Sequence, residues 1–169
     1  MHSLSSSDSI VRSALPIVVV LDRVRSVYNV GSFFRTGDGV GLDKLYLCGY
    51  TGTPPHKGIA KTALGAEMEV PWEHRQSAVE LVDELASQGY QIAAAETGED
   101  AVDVYDWNPD FPTCVVFGNE VEGVAPEILE RADVCVQLPM AGVKDSLNVA
   151  VAGGALLYEL VRKLRRGEP

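Results

Sequence analysis

At 169 residues, 46% of them hydrophobic and 22% charged, the chain has the composition of an ordinary soluble domain, which excludes disorder and fibrous repeats. Its three cysteines, Cys48, Cys114 and Cys135, lie far apart without a CxxC pair, so neither a disulfide framework nor a zinc site is expected, and a reducing compartment is. The net charge of −10 counts against a nucleic-acid partner, yet residues 71–135 alone carry −13 while 1–70 carry +1 and 136–169 carry +2, so both ends remain free to meet an anion.

Residues 1–9 are polar and serine-rich and read as a flexible tail, with one domain expected over 10–169. The tail lacks an apolar signal core, and no run approaches the roughly 20 apolar residues that cross a bilayer; a cytoplasmic protein without membrane association is expected. PIVVVLD, Pro16 to Asp22, is a short continuous β-branched run and reads as a buried strand. A loop then feeds a helix from about Val30 to Val40, with TGDGVG as its stop, and KLYLCGY is a second strand. TGTPPHKGIAKTALGAE, with its Pro-Pro and glycines, reads as a loop with one helical turn at most.

Ala78, Leu81, Val82, Leu85 and Ala86 share one face of a helix between Gln76 and Ser87, which Gly89 stops. YQIAAAE is a third strand, TGEDAVDVYDWNPDFP an acidic and turn-rich stretch, and TCVVFGNE a fourth strand entering a glycine-bearing turn. Pro126 to Ala132 suits a short helix with proline in its first turn, VCVQLPM is a fifth strand, and SLNVAVAGGALLYELVRKLRR a final helix. Strands alternating with helices predict an α/β fold: a mostly parallel sheet with helices on both faces.

Ligands of open parallel sheets bind beyond the carboxyl ends of the strands. Polar, glycine-bearing sequence follows three of the expected strands, at Asn29 to Arg35, at GNEVEG from Gly118, and at LPMAGVKDSLN from Leu138. There is no GxxxxGK[ST] phosphate loop, no GxSxG elbow and no HExxH pair, and His2, His56 and His74 are too scattered to form a metal or catalytic set. No metal is expected.

In this order the three motifs resemble the SpoU-type family of RNA 2′-O-ribose methyltransferases, part of the SPOUT superfamily. The resemblance rests on Asn29, Gly31 and Arg35, on FGNEVEGV from Phe117 to Val124, and on LPMAGVKDSLNVAVAGGALLYE from Leu138 to Glu159, with KTALGAE from Lys61 to Glu67 also similar. It spans Pro16 to Arg162, nearly the whole chain. It implies a parallel α/β sheet closed by a C-terminal trefoil knot, S-adenosylmethionine as cofactor, a homodimer, and tRNA or rRNA as the partner RNA.

The resemblance also implies roles for residues. Arg35, Asn29, Glu120, Ser146 and Asn148 are the expected catalytic set. Phe117, Gly118, Asn119 and Gly123, with Leu138, Pro139, Met140, Ser146, Leu147 and Asn148, are the expected cofactor contacts. Arg35, His56, Lys57 and Lys61 are the expected RNA contacts, since no separate RNA-binding domain is expected around the core. Arginine stays protonated in proteins, so Arg35 is read as a clamp on phosphate and a stabiliser of developing alkoxide rather than a free base.

Plainer roles stand beside these. Asn29 is also a candidate cap for the first helix and Ser146 for the last, Met140 a core filler, and Glu122 a solvent-facing carboxylate. Gly153 and Gly154 sit inside a helix that is apolar nearly all round from Val149 to Leu157, so a closely packed backbone, in the knot or across a dimer interface, is expected against them. The basic end RKLRR is either favourable charge at a helix C-terminus or an RNA contact. The competing functions are a noncatalytic RNA-binding protein of the same fold and a nucleotide-binding α/β enzyme of another class; the intact polar set disfavours the first and the missing glycine fingerprint after PIVVVLD the second.

Overall fold

The computed structural model describes residues 14–167, so the expected tail at 1–9 lies outside the described residues. The elements in chain order are β1 Leu15–Asp22, α1 Val27–Val40, β2 Leu42–Cys48, α2 Lys57–Ala63, a 3-10 turn at Ala66–Met68, β3 Trp72–Arg75, α3 Ala78–Ser87, β4 Gln91–Ala95, β5 Val102–Asp103, β6 Thr113–Phe117, α4 Pro126–Leu129, β7 Val134–Gln137 and α5 Val149–Gly167. The strands form one seven-stranded sheet in the order β3-β2-β1-β6-β4-β7-β5, and every pairing in it is parallel.

β1 and β6 are central and buried on both sides, which is why their sequences read as unbroken apolar runs. Alternate residues of β1 enter different cores. Ile17, Val19 and Leu21 pack with Phe33, Phe34, Leu156, Leu157 and Leu160 on the α1/α5 side, whereas Val18 and Val20 pack with Leu81, Leu85 and Ile128 on the α3/α4 side. The chain leaves β7 and returns through residues 138–148 to α5, which packs on α1; this path is consistent with the implied knot. All three cysteines are free, and burial pushes the Cys48 thiol up to about 12.

Several expectations are corrected. α1 begins three residues before Val30, because Ser26 rather than Asn29 is its cap: Ser26 Oγ accepts from the Asn29 backbone N–H at 3.3 Å. Gly37 and Gly39 lie inside α1, and only Gly41, at φ 74°, ends it. The stretch expected to be mostly loop holds the seven-residue α2, capped by His56, whose Nδ1 accepts from Gly58 N at 3.0 Å. The edge strands β3 and β5 were not expected; their short polar sequences WEHR and VD are extended by pairing with β2 and β7. Ser146 does not cap α5; Asn148 Oδ1 accepts from Ala150 N at 2.9 Å and Val151 N at 3.2 Å.

Two glycines set how closely helices meet. The backbone expected against Gly153 and Gly154 is not what packs there: a Cβ on Gly153 would lie 2.4 Å from the Phe33 ring, a side chain of α1, and one on Gly154 would meet only Thr36 Oγ1 at 4.0 Å, while Val151 and Tyr158 on α5 stay 57% and 56% exposed. A Cβ on Gly31 would lie 2.0 Å from Thr62 Oγ1 and 2.3 Å from the Ile59 carbonyl oxygen. The second neighbour is backbone and moves only if α2 moves. Gly31→Ala is therefore expected to lower stability by about 1–3 kcal/mol, seen as a reduced denaturation midpoint with an unchanged slope. An unaltered midpoint would contradict this packing.

Candidate cofactor cavity and the strand-end loops

A cavity of about 590 Å³ opens beyond the carboxyl ends of β4, β6 and β7, within the range of small-molecule sites. Phe117, Gly118, Asn119, Glu120 and Gly123 border it from the loop after β6, and Leu138, Met140, Ser146, Leu147 and Asn148 from the segment between β7 and α5. Pro139 stands exposed beside this lining and is not part of it. Val136, Leu138, Met140 and Leu156 give an apolar part that suits a flat aromatic base, and Met140, half-buried, faces it. The chemistry of this wall fits the adenosyl part of S-adenosylmethionine.

The loop after β6 is fixed from all sides. Asn119, 5% exposed, donates from Nδ2 to the Arg23 carbonyl at 3.0 Å and to Tyr50 Oη at 2.9 Å, and its Oδ1 accepts from Val121 N and Glu122 N, both at 2.9 Å. Backbone bonds between Asn119 and Gly123, at 2.9 and 3.1 Å, close the turn, and Gly123 takes φ 73°. Glu120 accepts from the backbone N–H of Arg25 with both oxygens, at 2.8 and 3.0 Å. It thus ties the second motif to the entry of α1. Glu122 is 67% exposed, as expected, and still pairs with Arg23 at 2.8 Å.

Arg23 itself adopts φ 55°, a conformation costly for a non-glycine residue. Its side chain bridges Glu122 and the buried Asp22, and these contacts hold it there. Burial pushes the Asp22 carboxyl up, the adjacent Arg23 acting against it.

The expected catalytic residues fall into two groups. Asn148 Nδ2 donates to Asn29 Oδ1 at 3.3 Å, so the first and third motifs meet at the cavity rim. Ser146 is exposed there, its hydroxyl 3.2 Å from Asp145 Oδ1. Arg35 is elsewhere: it is exposed on α1 in a groove of about 660 Å³ bordered by Ser32, Thr36, Asp38, Gly39, Lys61, Thr62 and Tyr158, so two cations and one carboxylate face it. It has no ion-pair partner among the described residues, which leaves its guanidinium available to a ligand.

The expected RNA contacts are divided likewise. Lys61 shares the Arg35 groove, its Nζ 5.9 Å from the Tyr28 ring centroid, whereas His56 and Lys57 border a smaller cavity of about 340 Å³ beside Pro54 and Pro55. In the basic end of α5, Arg162 pairs with Glu159 and Lys163 donates to the Tyr105 and Trp107 carbonyls, while Arg165 and Arg166 stand in the last turn.

Sequence reasoning missed Glu96, which follows β4 and borders the cavity; the strand-end rule that picked out the other loops applies equally to YQIAAAE. It missed Tyr50 as well, whose contact with Asn119 spans 69 residues, and Asp145, which borders the cavity next to Ser146. No group of His, Cys, Asp and Glu suited to a metal ion occurs among the described residues.

Residues 16–158 match the SpoU rRNA Methylase family. A relative in Staphylococcus haemolyticus, named a putative TrmH family tRNA/rRNA methyltransferase, is 32% identical over 152 residues, covering 90% of this chain and 61% of the relative. The chain thus spans about three fifths of that protein's length. A tRNA (guanosine(18)-2′-O)-methyltransferase of Aquifex aeolicus is 35% identical over 149 residues, covering 87% of this chain and 69% of the relative. In structure, the SpoU methyltransferase AviRb from Streptomyces viridochromogenes in complex with the cofactor AdoMet is similar at a TM-score of 0.82 and 28% identity, covering 94% of this chain and 64% of that one.

Proposed function

Since this chain belongs to the SpoU rRNA methylase family, we propose that it transfers a methyl group from S-adenosylmethionine to a ribose 2′-hydroxyl of tRNA or rRNA, as a homodimer in the cytoplasm. The observation that carries the reading is the cavity beyond β4, β6 and β7, walled by both the second and third motifs. The names of the staphylococcal and Aquifex relatives support the RNA class. No observation favours a noncatalytic RNA-binding protein or a nicotinamide enzyme.

When bound, the cofactor supplies a methyl group on a cationic sulfur, taken up by the 2′-hydroxyl oxygen as the carbon–sulfur bond breaks and the hydroxyl proton leaves. The chain's own work is positioning, which supplies much of the rate in such a transfer. Leu138 and Met140 would hold the adenine, and the Gly118 to Gly123 turn shapes the cavity floor. Asn29 and Asn148, already bonded to each other, orient polar groups at the rim. Arg35 grips the phosphate next to the target ribose and stabilises negative charge developing on its oxygen. Lys61, beside it in the groove, extends the anion-binding surface, and His56 and Lys57 do so beyond the α2 entry.

The homodimer rests on exposed apolar side chains of α1 and α5, Tyr28 at 52%, Val151 at 57% and Tyr158 at 56%, the last of which borders the groove that holds Arg35. Titration calorimetry is expected to give S-adenosylmethionine binding with a Kd on the order of micromolar, and sedimentation at high dilution about twice the chain mass of 18.2 kDa. A folded protein that binds no S-adenosylmethionine would remove the enzymatic reading, and a fully active monomer the dimer.

A further inference from the structure

Among the described residues four carboxylates border the cofactor cavity, those of Glu96, Glu120, Glu122 and Asp145, and no lysine or arginine does. They are not equivalent. Arg23 offsets Glu122 at 2.8 Å, and both oxygens of Glu120 are directed to the backbone N–H of Arg25. Glu96 and Asp145 have no ion-pair partner among the described residues.

Glu96 is the better fixed of these two. Its Oε1 accepts from Thr97 N at 3.0 Å and its Oε2 from Val124 N at 2.8 Å. Oε2 also lies 2.2 Å from where a Cβ on Gly123 would stand, so only glycine there admits the carboxylate against the turn. Each oxygen keeps a further lone pair, free to face a ligand in the cavity. The result is a held, uncompensated anion in the wall of a partly enclosed cavity, where charge is screened less than at an open surface.

We propose that Glu96 makes the cavity select its ligand by charge, favouring the cationic sulfonium donor over the demethylated product, whose sulfur is neutral. The inference rests on the cofactor reading of this cavity and adds to it a specificity residue. Loss of the sulfonium charge on transfer removes an attraction that held the donor, so the product leaves more readily than its shared adenosyl contacts alone would allow. This also gives a use to part of the acidic middle of the chain, to which Glu96 belongs.

The test is calorimetric titration of the wild type and Glu96→Gln with three probes: S-adenosylmethionine, S-adenosylhomocysteine, and sinefungin, which carries a protonated amine near the place of the sulfonium. Glu96→Gln is expected to weaken the two cationic probes about tenfold and S-adenosylhomocysteine less than about twofold, because removing one unpaired charge from a partly enclosed cavity is worth a factor of about that order. Equal losses on all three would make Glu96 a support of the Gly123 turn alone, and no loss would leave it without a role; either overturns the proposal. If the variant does not fold, the wild-type ratio of donor to product affinity decides: it should fall between about 0.05 and 0.5 M salt, and a constant ratio overturns the inference. Wild-type protein that binds none of the three instead removes the cofactor reading itself.

Discussion

Arg35→Ala is expected to lower the single-turnover rate of RNA methylation by about 10² to 10³, the usual cost of removing one preorganised donor to developing charge, while S-adenosylmethionine affinity stays nearly unchanged. The separation follows from geometry: Arg35 borders the groove with Lys61 and Tyr158 and is absent from the lining of the cofactor cavity. A cationic sulfonium gains nothing from an arginine in any case. Arg35→Lys should recover only part of the rate, since an ammonium lacks the planar fork that grips a phosphate through two parallel bonds. Rapid-quench methylation and calorimetry on the same preparations read both halves. Near-normal turnover in Arg35→Ala would refute the clamp, and a parallel loss of cofactor binding would make Arg35 a structural residue.

Gly118→Ala is expected to weaken cofactor binding by up to about a hundredfold, the second large effect. A Cβ at this position would lie 2.2 Å from the Gly123 carbonyl oxygen, 2.3 Å from its carbon and 2.4 Å from Val124 N. All three neighbours are backbone, so no side chain can rotate away and the turn must open. Opening breaks the Asn119–Gly123 bonds and the Val124 N–Glu96 contact that shape the cavity floor. Overpacking of this kind costs about 1–3 kcal/mol, which the core on either side of the sheet can absorb, leaving a folded protein with a damaged site. Calorimetry with S-adenosylmethionine, beside circular dichroism to verify folding, checks the prediction; a folded variant with wild-type affinity contradicts it.

What could be read from the chain follows the physics of each element. The run at 17–21 announces a central strand because both faces of β1 are covered, and the strand-end loops are legible because a parallel sheet gathers them at one edge. β3 and β5 were not legible, since WEHR and VD have no apolar period of their own and owe their extension to a neighbouring strand. α2 was hidden by the glycines and prolines around it and by a histidine cap, an uncommon choice. Within the site, the motif residues bordering the cavity were within reach of pattern and resemblance. The contacts that fix them were not: Glu120 with Arg25 N spans 95 residues and Asn148 with Asn29 spans 119. Such pairs exist only once the sheet has brought distant loops together.

The central claim is the transfer of a methyl group to a ribose oxygen, and one measurement addresses it directly. Purified protein is incubated with S-adenosylmethionine labelled in the methyl group and with tRNA and rRNA lacking the modification, and the RNA is digested to nucleosides and resolved by chromatography. The account predicts label in a 2′-O-methylnucleoside, lowered about 10²- to 10³-fold at the same early time point when Arg35→Ala replaces the wild type. Label on a base, or none in any RNA from a protein shown to bind S-adenosylmethionine, would contradict it.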